Sequence, residues 1–339
     1  MKLKFRPYTL KLKHTFTLAN NSRNTTDVML TEIHHENHIG FGEASMPPYL
    51  GETHKSVGEF LSKVKLEQFT DPLNTKEIMD YVDNIAPGNN AAKASVDIAL
   101  HDLCGKMYNK PLYEYWDLNK TQTPETSFTI GIDKESVIRQ KISEAEKYNI
   151  LKVKLGSKND KKLIEIINSA TDKPIIADVN QGWRDKDFAL DMIKLLAEKN
   201  VRLIEQPLPK ELIDETAWLT ENSPLPIFAD ESVKRLSDLE SIKGVYSGVN
   251  IKLMKSTGLQ EAYEMIKYAK ANDIQVMLGC MTETSCAVSA AAQLSPLADW
   301  ADLDGNLLIT NDPYKGIEII NGKIVLNEFP GIGIREIRN

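Results

Sequence analysis

Between residues 127 and 302 the chain alternates short apolar runs with segments whose apolar residues recur at helical spacing. Five of the runs end in charged residues: LKVKLG (151–156), PIIADVNQGW (174–183), VRLIEQPLP (201–209), PIFADES (226–232) and GVNIKLMKSTG (248–258). The pattern predicts eight strands, at 127–130, 151–154, 175–178, 202–205, 227–230, 248–252, 275–278 and 300–302. Strands alternating with helices imply βα units and a parallel sheet. Charges at the carboxyl ends of successive parallel strands are where an α/β barrel gathers its active site.

The N-terminal third has a different rhythm. Residues 1–35 read as two strands flanking a polar loop, FTLANNSRNTTD, which is either structural or a functional lid. GFGEASMPPYLG (40–51) reads as a second, Gly/Pro-punctuated loop. Residues 53–69 and 74–83 are predicted helical. A longer helix is predicted over 89–107, where Ala91, Ala94, Val96, Ala99, Leu100 and Leu103 broadly keep helical spacing and Gly105 stands near the end. The tail from Pro313 holds only short strand-like runs (GIEIING, KIVL). It cannot add another βα unit and is expected to return to the N-terminal domain.

Composition narrows the function. At 339 residues the chain accommodates one large and one smaller domain, and its apolar and charged fractions are those of a soluble globular enzyme. A net charge of -7 with dispersed lysines argues against a nucleic-acid surface. No apolar run is long enough to span a bilayer, and the N-terminus alternates rather than forming a signal-peptide core, so a cytoplasmic protein is expected. Cys104, Cys280 and Cys286 form no C-x-x-C pair, which disfavours a disulfide framework or zinc site. All six histidines precede the barrel, leaving no histidine base or ligand within it.

Asp178, Glu205 and Asp230 end three consecutive predicted strands, spaced by 27 and 25 residues, about one βα unit each. In a barrel the three carboxylates share one rim. Such acids repel one another unless a cation sits among them, and oxygen-only ligands suit Mg²⁺. Strand-end acids also cap following helices, but three in register flanked by lysines favour the metal. Lys152 and Lys154 are two apart and point inward, while Leu151, Val153 and Leu155 point outward. Lys252 takes the same place four strands later, across the axis from Lys154. A substrate held on the metal between them shows one face to each lysine. That arrangement suits proton transfer at a carbon beside a carboxylate, with the cation stabilising the charge that develops. A lysine base needs a lowered pKa, and both the cation and Lys152 act on Lys154 in that direction.

The set K-x-K, D-x-N, E-Q-P, A-D-E-S and N-I-K resembles the enolase superfamily, muconate-lactonizing subgroup, over essentially the whole chain, including the helix block SVDIALHDLCGKMYNKPL. The resemblance implies an α+β capping domain (1–120, completed by 313–339) on a (β/α)₇β modified TIM barrel (121–312). It implies Lys154 and Lys252 as the acid/base pair, and Asp178, Glu205 and Asp230 as ligands of one Mg²⁺ per subunit. Lys152 would then support the substrate carboxylate, with Asn180 behind the ligands. DWADLDGNLL resembles the dipeptide epimerases, in which a D-x-D pair, here Asp302 and Asp304 on one side of the last strand, binds the α-ammonium. D-x-D-G is equally turn chemistry. Thr129, Cys280 and Met281 match positions lining the dipeptide site. Arg23 either pairs with a second substrate carboxylate or is a solvated loop residue. The implied activity is Mg²⁺-dependent epimerisation of a small dipeptide at its C-terminal residue, with L-Ala-D/L-Glu, a murein peptide, as substrate. A homo-oligomer is compatible with the family. The rival readings are o-succinylbenzoate synthase, N-acyl amino acid racemase or muconate cycloisomerase of the same subgroup, and a non-catalytic peptide-binding barrel.

Overall fold

The computed structural model describes residues 1–18 and 21–337. The N-terminal region is an antiparallel sheet, β1 (Lys2–Leu18), β2 (Asn21–His35) and β3 (His38–Ser45), in the order β1-β2-β3. Four helices follow: α1 (His54–Leu61), α2 (Thr75–Asn84), α3 (Asn90–Met107) and α4 (Leu112–Tyr115). The polar loop expected at 16–27 is largely strand, because β1 and β2 stay paired out to Leu18 opposite Asn21. Residues 19 and 20 lie outside the described residues. Threonine recurs here (Thr15, Thr25, Thr26), and this β-branched residue keeps a polar sequence in strand form.

GFGEAS is likewise strand, not loop. Its glycines serve close packing: a Cβ at Gly40 would lie 2.0 Å from the Ala99 carbonyl oxygen, and one at Gly42 2.0 Å from that of Ser95. Both carbonyls belong to α3, so β3 lies directly on the helix backbone. Helix α3 is buried along nearly its whole length, at the contact between sheet and barrel.

The barrel consists of β4 (Ser127–Ile130), α5 (Glu135–Glu144), β5 (Ile150–Lys154), α6 (Asp160–Asn168), β6 (Ile175–Asp178), α7 (Lys186–Ala197), β7 (Val201–Glu205), α8 (Ile213–Asn222), β8 (Ile227–Ala229), α9 (Leu239–Ile242), β9 (Gly248–Lys252), α10 (Leu259–Ala271), β10 (Gln275–Gly279), α11 (Ser285–Gln293) and β11 (Trp300–Asp302). These eight strands follow one another in order and pair in parallel. A parallel bridge between Thr126 and Ala301 brings the two ends together. The fold is a (β/α)₇β barrel carrying an N-terminal α+β cap. Ile176, Leu203, Phe228 and Met277 form a separate fully buried cluster. The first three stand two residues before Asp178, Glu205 and Asp230, so strand alternation stacks the acids on an apolar plug.

In the tail, β12 (Tyr314–Lys315) pairs with β15 (Arg335–Glu336), and β13 (Glu318–Ile320) with β14 (Lys323–Val325). The Leu112 N–H donates to the Gly331 carbonyl (2.9 Å), and the Ile332 N–H to Asp102 Oδ1 (2.9 Å) on α3. No helix among the described residues is long and apolar enough to cross a membrane.

Candidate active site

The strand ends at the carboxyl rim carry the charges. Asp178 ends β6, Glu205 ends β7, and Asp230 follows β8 by one residue. One oxygen from each lies within 4.8 Å of the others. All three acids are buried. On β5, the Lys152 ammonium reaches Asp178 (3.0 Å), Glu205 (2.7 Å) and Asp302 (2.6 Å). Lys154 pairs with Asp178 at 2.6 Å, and Lys252, on β9, with Asp230 at 2.7 Å. The two strands stand four apart in the sheet order.

These lysines open onto a cavity of about 280 Å³ lined by Arg23, Thr129, Lys152, Lys154, Asn180, Asp230, Lys252, Cys280, Met281, Asp302 and Asp304. Asp178 and Glu205 lie behind this wall, fully buried. Every site residue singled out from the sequence is therefore in or against one cavity.

Asp302 and Asp304 reach it by a different route from the one expected. β11 ends at Asp302, and Asp304 stands immediately before the 3₁₀ turn Gly305–Leu308, so the two do not share a strand face. Asp302 accepts from Ser127 Oγ (2.8 Å) and Lys152 (2.6 Å); Asp304 accepts from the Thr129 N–H (2.7 Å). Arg23, on β2, donates to Thr282 Oγ1 at 3.2 Å. It is an ordered strand residue rather than a solvated loop arginine. Asn180, at φ 47°, donates through Nδ2 to Glu231 Oε1 (3.2 Å).

The sequence reading missed several contributors. Lys255 donates to both the carbonyl and Oδ1 of Asp230 at 2.6 Å, and Asn250 Nδ2 donates to Glu205 Oε1 at 2.8 Å. Asn250 was discoverable, since it precedes Lys252 by two and shares its face. Lys255 lies past the strand in the β9–α10 loop, where no periodicity identifies it. Tyr49, from the cap, also lines the cavity and donates its hydroxyl to the Met281 sulfur.

The electrostatics describe an acid cluster that its lysines balance only in part. Burial and then the neighbouring Asp178 raise Glu205 to about 7. Burial and then Asp230 raise Glu231 to about 7. Burial would raise Asp178 and Asp230 too, but the lysines beside them hold both below the ordinary carboxylate range. Burial pulls the Lys252 ammonium down, yet Asp230 and other partners hold it well above the usual lysine value, opposite to what a base needs. Asp304 is raised to about 7 by burial and by Asp302.

The donor set fits Mg²⁺. It is all oxygen, all carboxylate and convergent. Glu205 Oε2 has an ion-pair contact with Lys152 but no well-directed hydrogen bond.

Known proteins bear on this geometry. Residues 3–116 match the mandelate racemase/muconate lactonizing enzyme N-terminal domain, and residues 137–336 match the enolase C-terminal domain-like family. The chain is 59% identical over 338 residues, 99% of its length and 88% of the relative's, to the L-Ala-D/L-Glu epimerase of Bacteroides thetaiotaomicron. The dipeptide epimerase of Enterococcus faecalis, solved with Mg and L-Leu-L-Tyr, superposes with a TM-score of 0.91 at 30% identity, covering 98% of each chain. That of Cytophaga hutchinsonii, solved with Mg and D-Ala-L-Val, gives 0.92 at 27%, covering 99% of this chain and 96% of the other. With both domains matched and the carboxylate–lysine rim in place, the chain belongs to the mandelate racemase/muconate lactonizing enzyme family of the enolase superfamily.

Proposed function

We propose that this chain is a Mg²⁺-dependent dipeptide epimerase that inverts the α-carbon of the C-terminal residue. The observation that carries the reading is the pair Lys154 and Lys252, four strands apart on one cavity, each touching a different member of a buried carboxylate triad. Asp178, Glu205 and Asp230 would hold one Mg²⁺. When bound, the cation supplies positive charge near the substrate carboxylate, where negative charge grows as the α-proton leaves, and takes over the Asp230 pairing that holds Lys252 protonated.

Lys154 and Lys252 are the proton carriers, one on each side of the α-carbon. One, neutral, removes the proton, while the other, charged, returns one to the opposite face. Lys152 presents its ammonium to the substrate carboxylate. Asp304, with Asp302 beside it, pairs with the α-ammonium of the first residue. Asp302 already serves Lys152 and Ser127, so Asp304 carries the larger share. Thr129, Cys280 and Met281 line the dipeptide, and Asn180 steadies Glu231 on the cavity wall beside the triad. Arg23 faces the same cavity and suits a second carboxylate, which makes L-Ala-D/L-Glu the preferred substrate and murein peptides its source. Residues 1–120 with the tail form the cap, and the enzyme works in the cytoplasm.

The test is incubation of a dipeptide library with Mg²⁺ in D₂O. L-Ala-L-Glu should gain one deuteron and its epimer should appear, faster than L-Ala-L-Leu. Lys154→Ala and Lys252→Ala should each cut epimerisation by about 10²–10⁴-fold. Each should retain exchange from a different epimer. No deuterium in any dipeptide, with uptake into N-acyl amino acids, would overturn the reading in favour of a racemase. Equal rates for Ala-Glu and Ala-Leu would overturn the Arg23 assignment alone.

A further inference from the structure

The wall of the cavity formed by residues 280–282 belongs to the barrel, but part of what holds it in place belongs to the cap. Glu43, on β3, is fully buried and reaches across to the start of α11. Its carboxylate accepts from the Thr284 N–H (3.0 Å), the Ala287 N–H (3.3 Å) and the Thr284 hydroxyl. Those N–H groups belong to the first turn of α11, so a carboxylate from another domain serves as the acceptor for this helix's unpaired donors. Two residues along the same strand face, Ser45 Oγ donates to the Thr282 carbonyl at 2.8 Å. Thr282 in turn accepts from Arg23, and the Cys280 N–H donates to the Asp302 carbonyl at 3.1 Å. One strand of the cap thus holds the middle and the far end of a loop whose near end is fixed on Asp302 of the barrel.

The glycines explain how β3 gets close enough. Gly40 and Gly42 face α3 at a distance that admits no side chain, which leaves Glu43 and Ser45 free to point the other way, into the barrel. Asp102 makes a useful contrast. It is a buried cap carboxylate with a comparable number of donors, the Phe41 and Ile332 N–H groups and Lys106, but it touches no part of the cavity wall.

We propose that Glu43, assisted by Ser45, is a positioning residue for the substrate: it locks the 280–284 loop to the cap and so sets the fit of the dipeptide between Arg23 and Asp302/Asp304. The inference rests on the reading that this cavity binds a dipeptide. Glu43 touches neither lysine nor the triad, so it acts on binding and not on proton transfer.

The experiment compares Glu43→Gln, Ser45→Ala and Asp102→Asn with the wild type, using L-Ala-L-Glu kinetics, thermal melting, and the rate at which iodoacetamide alkylates Cys280, followed by mass spectrometry well below the melting transition. Cys280 is the free cysteine that lines the cavity, and Cys104 and Cys286 are buried. Glu43→Gln should raise KM roughly tenfold with kcat changed less than about threefold, the pattern of lost uniform binding, and should speed Cys280 alkylation severalfold. Ser45→Ala should do the same to a smaller degree, and it stands in if Glu43→Gln does not fold. Asp102→Asn should lower the melting temperature while leaving KM and alkylation unchanged. If Glu43→Gln and Ser45→Ala shift only the melting temperature, as Asp102→Asn does, the proposal is overturned. If the wild type turns over no dipeptide, the functional reading fails, while the Cys280 rates still decide whether the loop is clamped.

Discussion

Asp304 has the most measurable consequence at the scale of single residues. Burial and then Asp302 raise it to about 7, above the ordinary aspartate range. Below that pH it is neutral and cannot pair with an ammonium; above it the carboxylate is available. The dipeptide's own α-ammonium loses its proton at about 8. The proposed pairing would therefore exist in a narrow window, and kcat/KM for L-Ala-L-Glu should rise through about pH 7 and fall above about pH 8. Asp304→Asn should flatten the rising limb and lower kcat/KM by about tenfold or more, since the ammonium is then bound by Asp302 alone. A rising limb that survives in Asp304→Asn would reassign the titration to another acid. The site was legible residue by residue because strand alternation is rigid: once Lys152 and Lys154 are on a strand, their common direction follows. The misjudgement of how Asp304 arrives shows the limit. Alternation stops where the strand stops, and a D-x-D-G sequence does not say on which side of that boundary its second acid falls.

At the scale of elements, the eight barrel strands were legible because each is a short apolar run closed by a charge or a turn residue. β3 was not. Its sequence, GFGEAS, carries the glycines that ordinarily mark a loop, and the reason for them lies in another element, the backbone of α3. The strand extension of β1 and β2 through threonine-rich segments was missed for a related reason: polarity predicts loop, while β-branching and cross-strand pairing decide for strand. This reading of β3 is testable. A methyl group at Gly42 would meet the Ser95 carbonyl oxygen at 2.0 Å and Thr31 Oγ1 at 2.6 Å, and the carbonyl is fixed inside α3. Gly42→Ala should therefore cost about 1–3 kcal/mol, the scale of overpacking, and lower the melting temperature by several degrees. Because Glu43 is its neighbour, the same variant should also weaken dipeptide binding. A melting curve identical to the wild type would show that β3 does not need to lie so close.

At the scale of the whole molecule, the buried acids make stability depend on metal and pH in opposite directions. Glu205 and Glu43 are raised to about 7, and Glu283 to about 8, in each case first by burial. Their neighbours are acids as well as lysines: Asp178 and Asp230 face Glu205, Asp312 faces Glu43, and Glu43 faces Glu283. An acid whose folded pKa lies above its unfolded value keeps its proton longer in the folded chain. The folded state then binds more protons than the unfolded one, and metal-free stability falls as pH rises from about 4.5 towards about 8. A Mg²⁺ ion held by the triad, as proposed, would reverse the slope there. It requires Glu205 ionised, so below about 7 each cation must displace a proton and its affinity drops. With the cation at about a hundred times its Kd, the gain is about 2.7 kcal/mol. The melting temperature of chelated protein should therefore decline from pH 5 to pH 8, while the increment produced by Mg²⁺ should grow over the same interval. Glu205→Gln should abolish the increment and remove part of the decline; Glu283→Gln should remove part of the decline and leave the increment. An increment that is the same at pH 6 and pH 8 would mean that Glu205 is ionised in the metal-free enzyme, with Lys152 and Asn250 together overcoming its burial.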